Sequence, residues 1–322
     1  MSNYNTITEL ENQKRYAEAG YGRLFAYNKD RVNAMIDARS KAKWIRSMTP
    51  ETTDELQNNL FYSGPATFVN HRLDVRKHKI AKMDLKSAYL AYLINDKIKK
   101  PGIFRIKHHG VLPLSDDIQL YVIQFNCSTE SPFVSWFLNQ AAIQKKKVQS
   151  DGSRIYGTIA IFASHWMNQL KFINHFLEPE EAQVITTYSF HGKKTVDVKM
   201  SQIKKLYQLK ELGVLEAKMM LVQATGWLSI IDKPTYYHMV QYIKFYLMET
   251  AYKYGFEDEI FGNQTDCILY RVTEETEDVY DRIKNDKLSL GQRSSSIGTY
   301  TFQFVDYDEL VVNPARVVLK NA

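Results

Sequence analysis

The stretch Ile80-Ala81-Lys82-Met83-Asp84-Leu85-Lys86-Ser87-Ala88-Tyr89-Leu90 decides the fold. Its first half is apolar and β-leaning, and it delivers an acid, Asp84, to the end of a strand. Ser87 and Tyr89 follow at once. A carboxylate fixed at a strand end, with small and aromatic neighbours, suits a divalent cation that carries a triphosphate. The same residues also read as a strand-to-helix turn in which Asp84 caps a helix beginning at Lys86. The stretch by itself leaves both readings open.

Downstream, a second acid stands in a comparable place. The polar run Gly262-Asn263-Gln264-Thr265-Asp266 separates the apolar segments Glu259–Phe261 and Ile268–Val272, the pattern of a β-hairpin with an acid at its tip. Between the two acids lies the longest helical pattern, Met200–Leu228, which Gly213 divides in two; Lys218 falls in its second half. Pro234 opens another helix over Thr235–Tyr254. Strands are predicted at Ala66–Val69, Ile118–Asn126, Thr158–Phe162, Ala182–Tyr188, Thr299–Val305 and Leu310–Val312, with Lys193–Lys199 short and extended. Helices are predicted at Phe133–Lys147, Ser164–Phe176 and Thr276–Lys284, and His108-His109 reads as loop. Residues 5–60 read as helical, and the turn residues Tyr62-Ser63-Gly64-Pro65 end that pattern. The mixture predicts an α+β fold, an antiparallel sheet with helices on one face. A helical N-terminal extension over residues 1–61 precedes the main domain over 62–322.

At 322 residues and 44% hydrophobic, the chain can bury one large core or two modest ones. Charged residues interrupt every apolar run before it can cross a bilayer, and the N-terminus lacks the apolar core of a secretory signal, so no membrane role is expected. The cysteines, Cys127 and Cys267, form neither a metal-binding spacing nor a disulfide framework, which fits the cytoplasm. The net charge of +6 is mild. Its distribution says more: Arg39–Arg46, Arg72–Lys82, Lys97–Lys107 and Lys145–Lys147 concentrate basic residues, with 21 tyrosines spread alongside. Such interleaving suits phosphate contact and base stacking.

Two acids brought together can bind two divalent ions, and a helical lysine can neutralise a triphosphate as charge develops on it. Phosphoryl transfer needs positioning and charge more than an acid–base pair. On this pattern the sequence resembles the B-family DNA polymerases, in particular the protein-primed branch of phages and linear plasmids. Asp84-Leu85-Lys86-Ser87-Ala88-Tyr89-Leu90 is similar to the first motif, Asp-x-x-Ser-Leu-Tyr-Pro. Lys218-Met219-Met220-Leu221-Val222-Gln223-Ala224-Thr225-Gly226 is similar to the second, Lys-x-x-x-Asn-Ser-x-Tyr-Gly. Gln264-Thr265-Asp266-Cys267 is similar to the third, Asp-Thr-Asp-Ser, and Tyr62-Ser63-Gly64-Pro65 falls where the branch carries Tyr-x-Gly-Gly. All four come in the family's order.

The resemblance implies a palm with helical fingers inserted at about residues 193–230. It implies that Asp84 and Asp266 hold Mg²⁺ or Mn²⁺ and are the catalytic acids. Leu85, Ser87, Ala88, Tyr89 and Lys218 would bind the deoxynucleoside triphosphate, with Tyr89 beneath the sugar. Tyr62, Ser63, Gly64 and Thr265 would contact DNA. The implied partners are template and primer DNA, deoxynucleotides, and other replication proteins or a protein primer. The departures are Gln264 for the third motif's first acid, Val222 and Thr225 for the Asn and Tyr of the second, and Leu90 for proline. No Lys-x-Tyr thumb motif is found, and the segment before Tyr62 is too short for a proofreading exonuclease. Two functions follow as expectations: a template-directed DNA polymerase or primase, and a polymerase-derived DNA-binding module whose catalysis has decayed.

Overall fold

The computed structural model describes residues 25–27, 67–101, 105–113, 118–128, 147–162, 181–191, 196–198, 200–231, 233–264, 266–290, 297–313 and 316–320. Along the chain these form β1 (Phe25–Tyr27), β2 (Thr67–Val69), β3 (Ile80–Leu85), α1 (Ala88–Ile94), β4 (Arg105–His109) and β5 (Gln119–Ser128). There follow β6 (Lys147–Val148), β7 (Arg154–Phe162), β8 (Ala182–His191), β9 (Val196–Val198), α2 (Met200–Glu211), α3 (Leu215–Ile231) and α4 (Lys233–Tyr254). The remainder is β10 (Ile260–Gln264), β11 (Cys267–Arg271), α5 (Val279–Asn285), β12 (Tyr300–Val305), β13 (Leu310–Asn313) and β14 (Arg316–Leu319).

The sheet that carries the candidate site runs β12-β3-β11-β10-β2, every pair antiparallel. Strand β3 shows why the sequence folds this way. Side chains alternate between the faces of a strand, and Ala81, Met83 and Leu85 are all fully buried. They join one core with Ala91 and Leu93 of α1 and Ile243, Leu247 and Met248 of α4. Lys82 and Asp84 therefore project from the opposite face. Across the strand gaps they sit beside Gln303 and Thr301 of β12, both exposed. That face is only partly polar: Ile80, Cys267, Leu269 and Val305 on it are buried in a further cluster with Leu310 and Val317. The main apolar face on helices is the α+β arrangement expected.

A second antiparallel sheet, β4-β8-β5-β7-β6, was not anticipated as a separate layer. Its central strand β5 has Tyr121, Ile123, Phe125 and Cys127 in the main core, while Leu120 and Val122 pack with Phe162, Tyr188 and Phe190 in another cluster. Burial on both faces explains why residues 120–123 of β5 are continuously apolar rather than alternating. The pair His108-His109, read as loop, lies in β4 opposite Tyr188 and Thr187. Phe25–Tyr27, read as helical, pairs with Val196–Val198 instead. Lys147, read as the end of a helix, is in β6. The rest of residues 1–66, including the boundary at 61/62, and the helices predicted before Lys147 and over Ser164–Phe176 lie outside the described residues.

The long helical segment breaks as its glycine predicts. Gly213 has φ +82°, a left-handed conformation that favours glycine, and separates α2 from α3. The hairpin is tighter than the sequence pattern indicates. Gly262, Asn263 and Gln264 continue β10 rather than forming the turn. Asn263 is tolerated in the sheet because its buried amide donates to the Cys267 carbonyl at 3.2 Å.

Candidate active site

Asp84 is the penultimate residue of β3, registered opposite both Cys267 of β11 and Thr301 of β12. Asp266 is the residue just before Cys267, and its carbonyl accepts from the Leu85 amide at 3.0 Å. The pairing of β3 with β11 thus brings together acids that are remote in sequence. Asp84 does not cap α1: the N-cap is Ser87, three residues on, held in the left-handed region at φ 54° without a side-chain capping bond. The two competing readings of the opening stretch separate here, and Asp84 belongs to the strand.

The electrostatics of the two carboxyls follow from this placement. Burial raises Asp84 above the ordinary carboxylate range, and Lys82 and Lys210 pull it partly back. Burial pushes Asp266 up to about 7, with the neighbouring Asp84 charge adding to it and Lys82 opposing it. Two close, half-desolvated acids with incomplete counter-charge are a site short of positive charge. Oxygen donors of this kind suit a hard divalent cation such as Mg²⁺ or Mn²⁺. Among the described residues no group of three or more His, Cys, Asp or Glu side chains forms a metal cage. Asp84 and Asp266 would therefore have to share an ion with other oxygen donors such as a substrate phosphate or water.

Beside the acids lies a cavity of about 360 Å³, within the range of small-ligand sites. Ser87, Ala88, Tyr89 and Asp266 line it from the sheet side, and Lys210, Lys218, Val222 and Thr225 from α2 and α3. Tyr236 of α4 closes part of the wall. The cavity brings together five residues singled out in the sequence: Ser87, Ala88, Tyr89, Lys218 and Asp266. Leu85, fully buried, contributes backbone rather than side chain near them. Burial raises the Tyr89 phenol well above its usual range, and the Asp266 charge and Tyr236 reinforce this. The phenol therefore remains protonated at neutral pH. Tyr62, Ser63, Gly64 and Thr265 lie outside the described residues.

Lys210 was missed. It lies at the end of α2 in a generic amphipathic run, eight positions before the lysine that a motif marked. Its ammonium donates to the Ser87 hydroxyl at 2.7 Å. Desolvation lowers its pKa, as do Lys86 and Lys218 nearby, while Glu211 and Asp84 act in the other direction. The sequence signal for it is indirect: a helix ending at a glycine break before a second helix places both helix ends near the same point. Of the basic clusters, Arg76, Lys77 and Lys79 are exposed ahead of β3. Lys100 instead donates to the Asn95 and Ile98 carbonyls and lies over the Tyr92 ring.

An antiparallel sheet with helices on one face, two acids at adjacent strand ends, and a helix pair walling a cavity beside them make a polymerase-like fold. Solved structures agree at that level. A phi29 DNA polymerase complexed with primer-template DNA is similar with a TM-score of 0.51 and 13% identity, over 79% of this chain and 47% of that one. Phi29 DNA polymerase complexed with single-stranded DNA matches at 0.50 and 13%, over 84% and 52%. Its ternary complex with primer-template DNA and incoming nucleotides matches at 0.50 and 13%, over 79% and 48%. The chain spans about half the length of these polymerases, and at this identity the likeness is one of fold. No protein-family model matches the chain, and no curated protein matches it in sequence. Among the described residues no helix is long and apolar enough to cross a membrane.

Proposed function

We propose that the chain is a template-directed DNA polymerase that joins deoxynucleotides by nucleotidyl transfer in phage or plasmid DNA replication. The observation that carries this is the cavity itself: Asp266 on its lining with Asp84 beside it on the neighbouring strand, two lysines from the helix pair on its wall, and Tyr89 on the same lining. Asp84 and Asp266 would hold Mg²⁺ or Mn²⁺, which supplies charge stabilisation and activates a 3′-hydroxyl. Lys210 and Lys218 would take the triphosphate, Ser87 and the backbone around Leu85 and Ala88 would seat it, and Tyr89 would lie beneath the sugar. Lys82 offsets part of the acids' mutual repulsion. Template and primer would run past the exposed edge of that sheet, along Thr301 and Gln303 of β12 beside Lys82. The phi29 polymerase structures include complexes with primer-template DNA and incoming nucleotides, which supports the same substrates here; a protein primer or other replication proteins are further partners in this proposal.

One observation favours the decayed module. Val222 and Thr225 occupy the cavity wall where the resembled motif has Asn and Tyr, and Val222 is 62% exposed, leaving an apolar wall where that family packs the nascent base pair. Extension of a labelled primer in Mg²⁺ and in Mn²⁺, beside DNA binding by the same preparation, separates the two. Extension supports the polymerase. Binding without extension on any primer, template or metal supports the module.

A further inference from the structure

The end of α2 is fastened to the turn that follows Asp84, and two of the residues involved lie outside every motif. Lys86 pairs with Glu211 at 2.8 Å, and one residue along each segment Lys210 donates to Ser87 at 2.7 Å. The two lysines lie over the ring of Tyr207, Lys86 at 5.7 Å and Lys210 at 5.2 Å from its centroid. The turn being gripped is itself rigid. The Lys86 amide donates to the Thr299 carbonyl at 2.9 Å, and the Gly298 amide donates to the Lys86 carbonyl at 2.6 Å. Immediately beyond Glu211 the helix ends in a backbone cap, the Gly213 amide donating to the Lys210 carbonyl and the Val214 amide to the Leu209 carbonyl, both at 3.0 Å, while the Leu212 and Leu215 side chains are exposed.

Helix electrostatics argue that this pairing is not incidental. Glu211 is the last residue of α2, where the helix dipole is negative and repels a carboxylate. It is the one position on the helix where an acid is least favoured, and it is filled by the acid that reaches Lys86.

We infer that Glu211 and Lys86 form a clasp that positions Lys210 at the nucleotide cavity, and that the phosphates of an incoming nucleotide take Lys210 from Ser87 while the clasp stays closed. This rests on the proposed polymerase function for its ligand, but not for its mechanics. Glu211, Lys86 and Tyr207 are positioning residues. They act through Lys210 and do not line the cavity.

The test uses the full chain as Glu211→Gln, Lys86→Met and the charge swap Lys86→Glu/Glu211→Lys. Two measurements are made: amide hydrogen exchange over residues 205–212 without nucleotide, and equilibrium binding of dATP in Ca²⁺. Each single variant should speed exchange there and weaken dATP about two- to fivefold, the range one exposed ion pair supports. The swap should restore both, because it remakes the pair and puts each charge at a helix end that welcomes it. Dipole relief alone predicts the opposite sign for Glu211→Gln, with slower exchange and unchanged binding. That result overturns the clasp, as does a swap no better than the single variants. If no protein binds dATP, including the unmodified chain, the polymerase proposal fails, and the exchange data still decide the clasp.

Discussion

Asp266→Asn should make the metal-free protein more stable, although it removes a residue proposed to be essential. Burial and the Asp84 charge together hold the Asp266 proton until about pH 7, against an ordinary 3.8. A carboxyl that binds its proton more tightly folded than unfolded costs stability as pH rises from about 3.8 to about 7, and carries the full penalty above that. At about 1.4 kcal/mol per pH unit, the ceiling is about 4 kcal/mol. Asp84 can relieve part of this by taking up a proton of its own, and the asparagine amide must still find partners, so about 1–2 kcal/mol is expected, typical of removing a functional-site liability. The assay is urea denaturation at pH 5 and pH 8 in chelator, repeated with Mn²⁺. The variant should gain stability at pH 8, gain less at pH 5, and show a flatter pH dependence. Mn²⁺ should raise the unmodified protein by mass action on the folded state and the variant far less. A variant less stable than the parent at pH 8, or one with the same pH slope, refutes the reasoning that the acids are held together against their own repulsion.

Asp84→Asn should lower primer extension by several orders of magnitude while DNA binding holds, because metal-ion stabilisation supplies several kcal/mol and each ~1.4 kcal/mol is tenfold; equal extension by the variant removes Asp84 from the catalytic role. Tyr89→Ala should admit ribonucleotides, checked by comparing ATP with dATP in the same extension assay, and unchanged discrimination refutes the steric role. Gly213→Ala should cost about 1–2 kcal/mol in denaturation, all of it backbone, since φ is +82° and a Cβ there meets nothing within 4 Å. DNA affinity should fall steeply between 50 and 200 mM salt, as counterion release requires, and salt-independent binding counts against a phosphate-contacting surface.

The parts of the fold that local pattern specifies were legible. Strand β3, its acid, the hairpin partner and the break at Gly213 each follow from residues within a few positions of one another. What the sequence obscured was non-local. The second sheet could not be told from additions to the first, because nothing local states which long strand pairs with which. β4 was missed because its histidines and lysine carry no apolar alternation, and it is held by backbone pairing to β8. The hairpin turn was drawn too long because Gly262-Asn263-Gln264 is turn-like in composition, whereas Asn263 finds its partner across the strand. Asp84, Tyr89, Lys218 and Asp266 could be named because motifs single them out. Lys210, Glu211 and Lys86 could not, since their importance exists only once the end of α2 meets the turn after β3.

The charges around the cavity bear on which of the two functions is the better one. Burial keeps the acids from ionising freely, and it likewise makes Lys210 easier to deprotonate. A surface selected only to grip DNA has no use for the acids, which repel a phosphate backbone, and would gain from losing them. A ligand that brings divalent cations to the acids and phosphates to the lysines satisfies both halves at once. A metal-bound nucleoside triphosphate is such a ligand, and duplex DNA alone is not. Val222 and Thr225, standing where the resembled motif has Asn and Tyr, would weaken a wall that packs a base pair, but the acids and lysines proposed to take metal and phosphate are untouched by that difference. Catalysis with relaxed selection of the base is therefore the reading we propose over binding without catalysis.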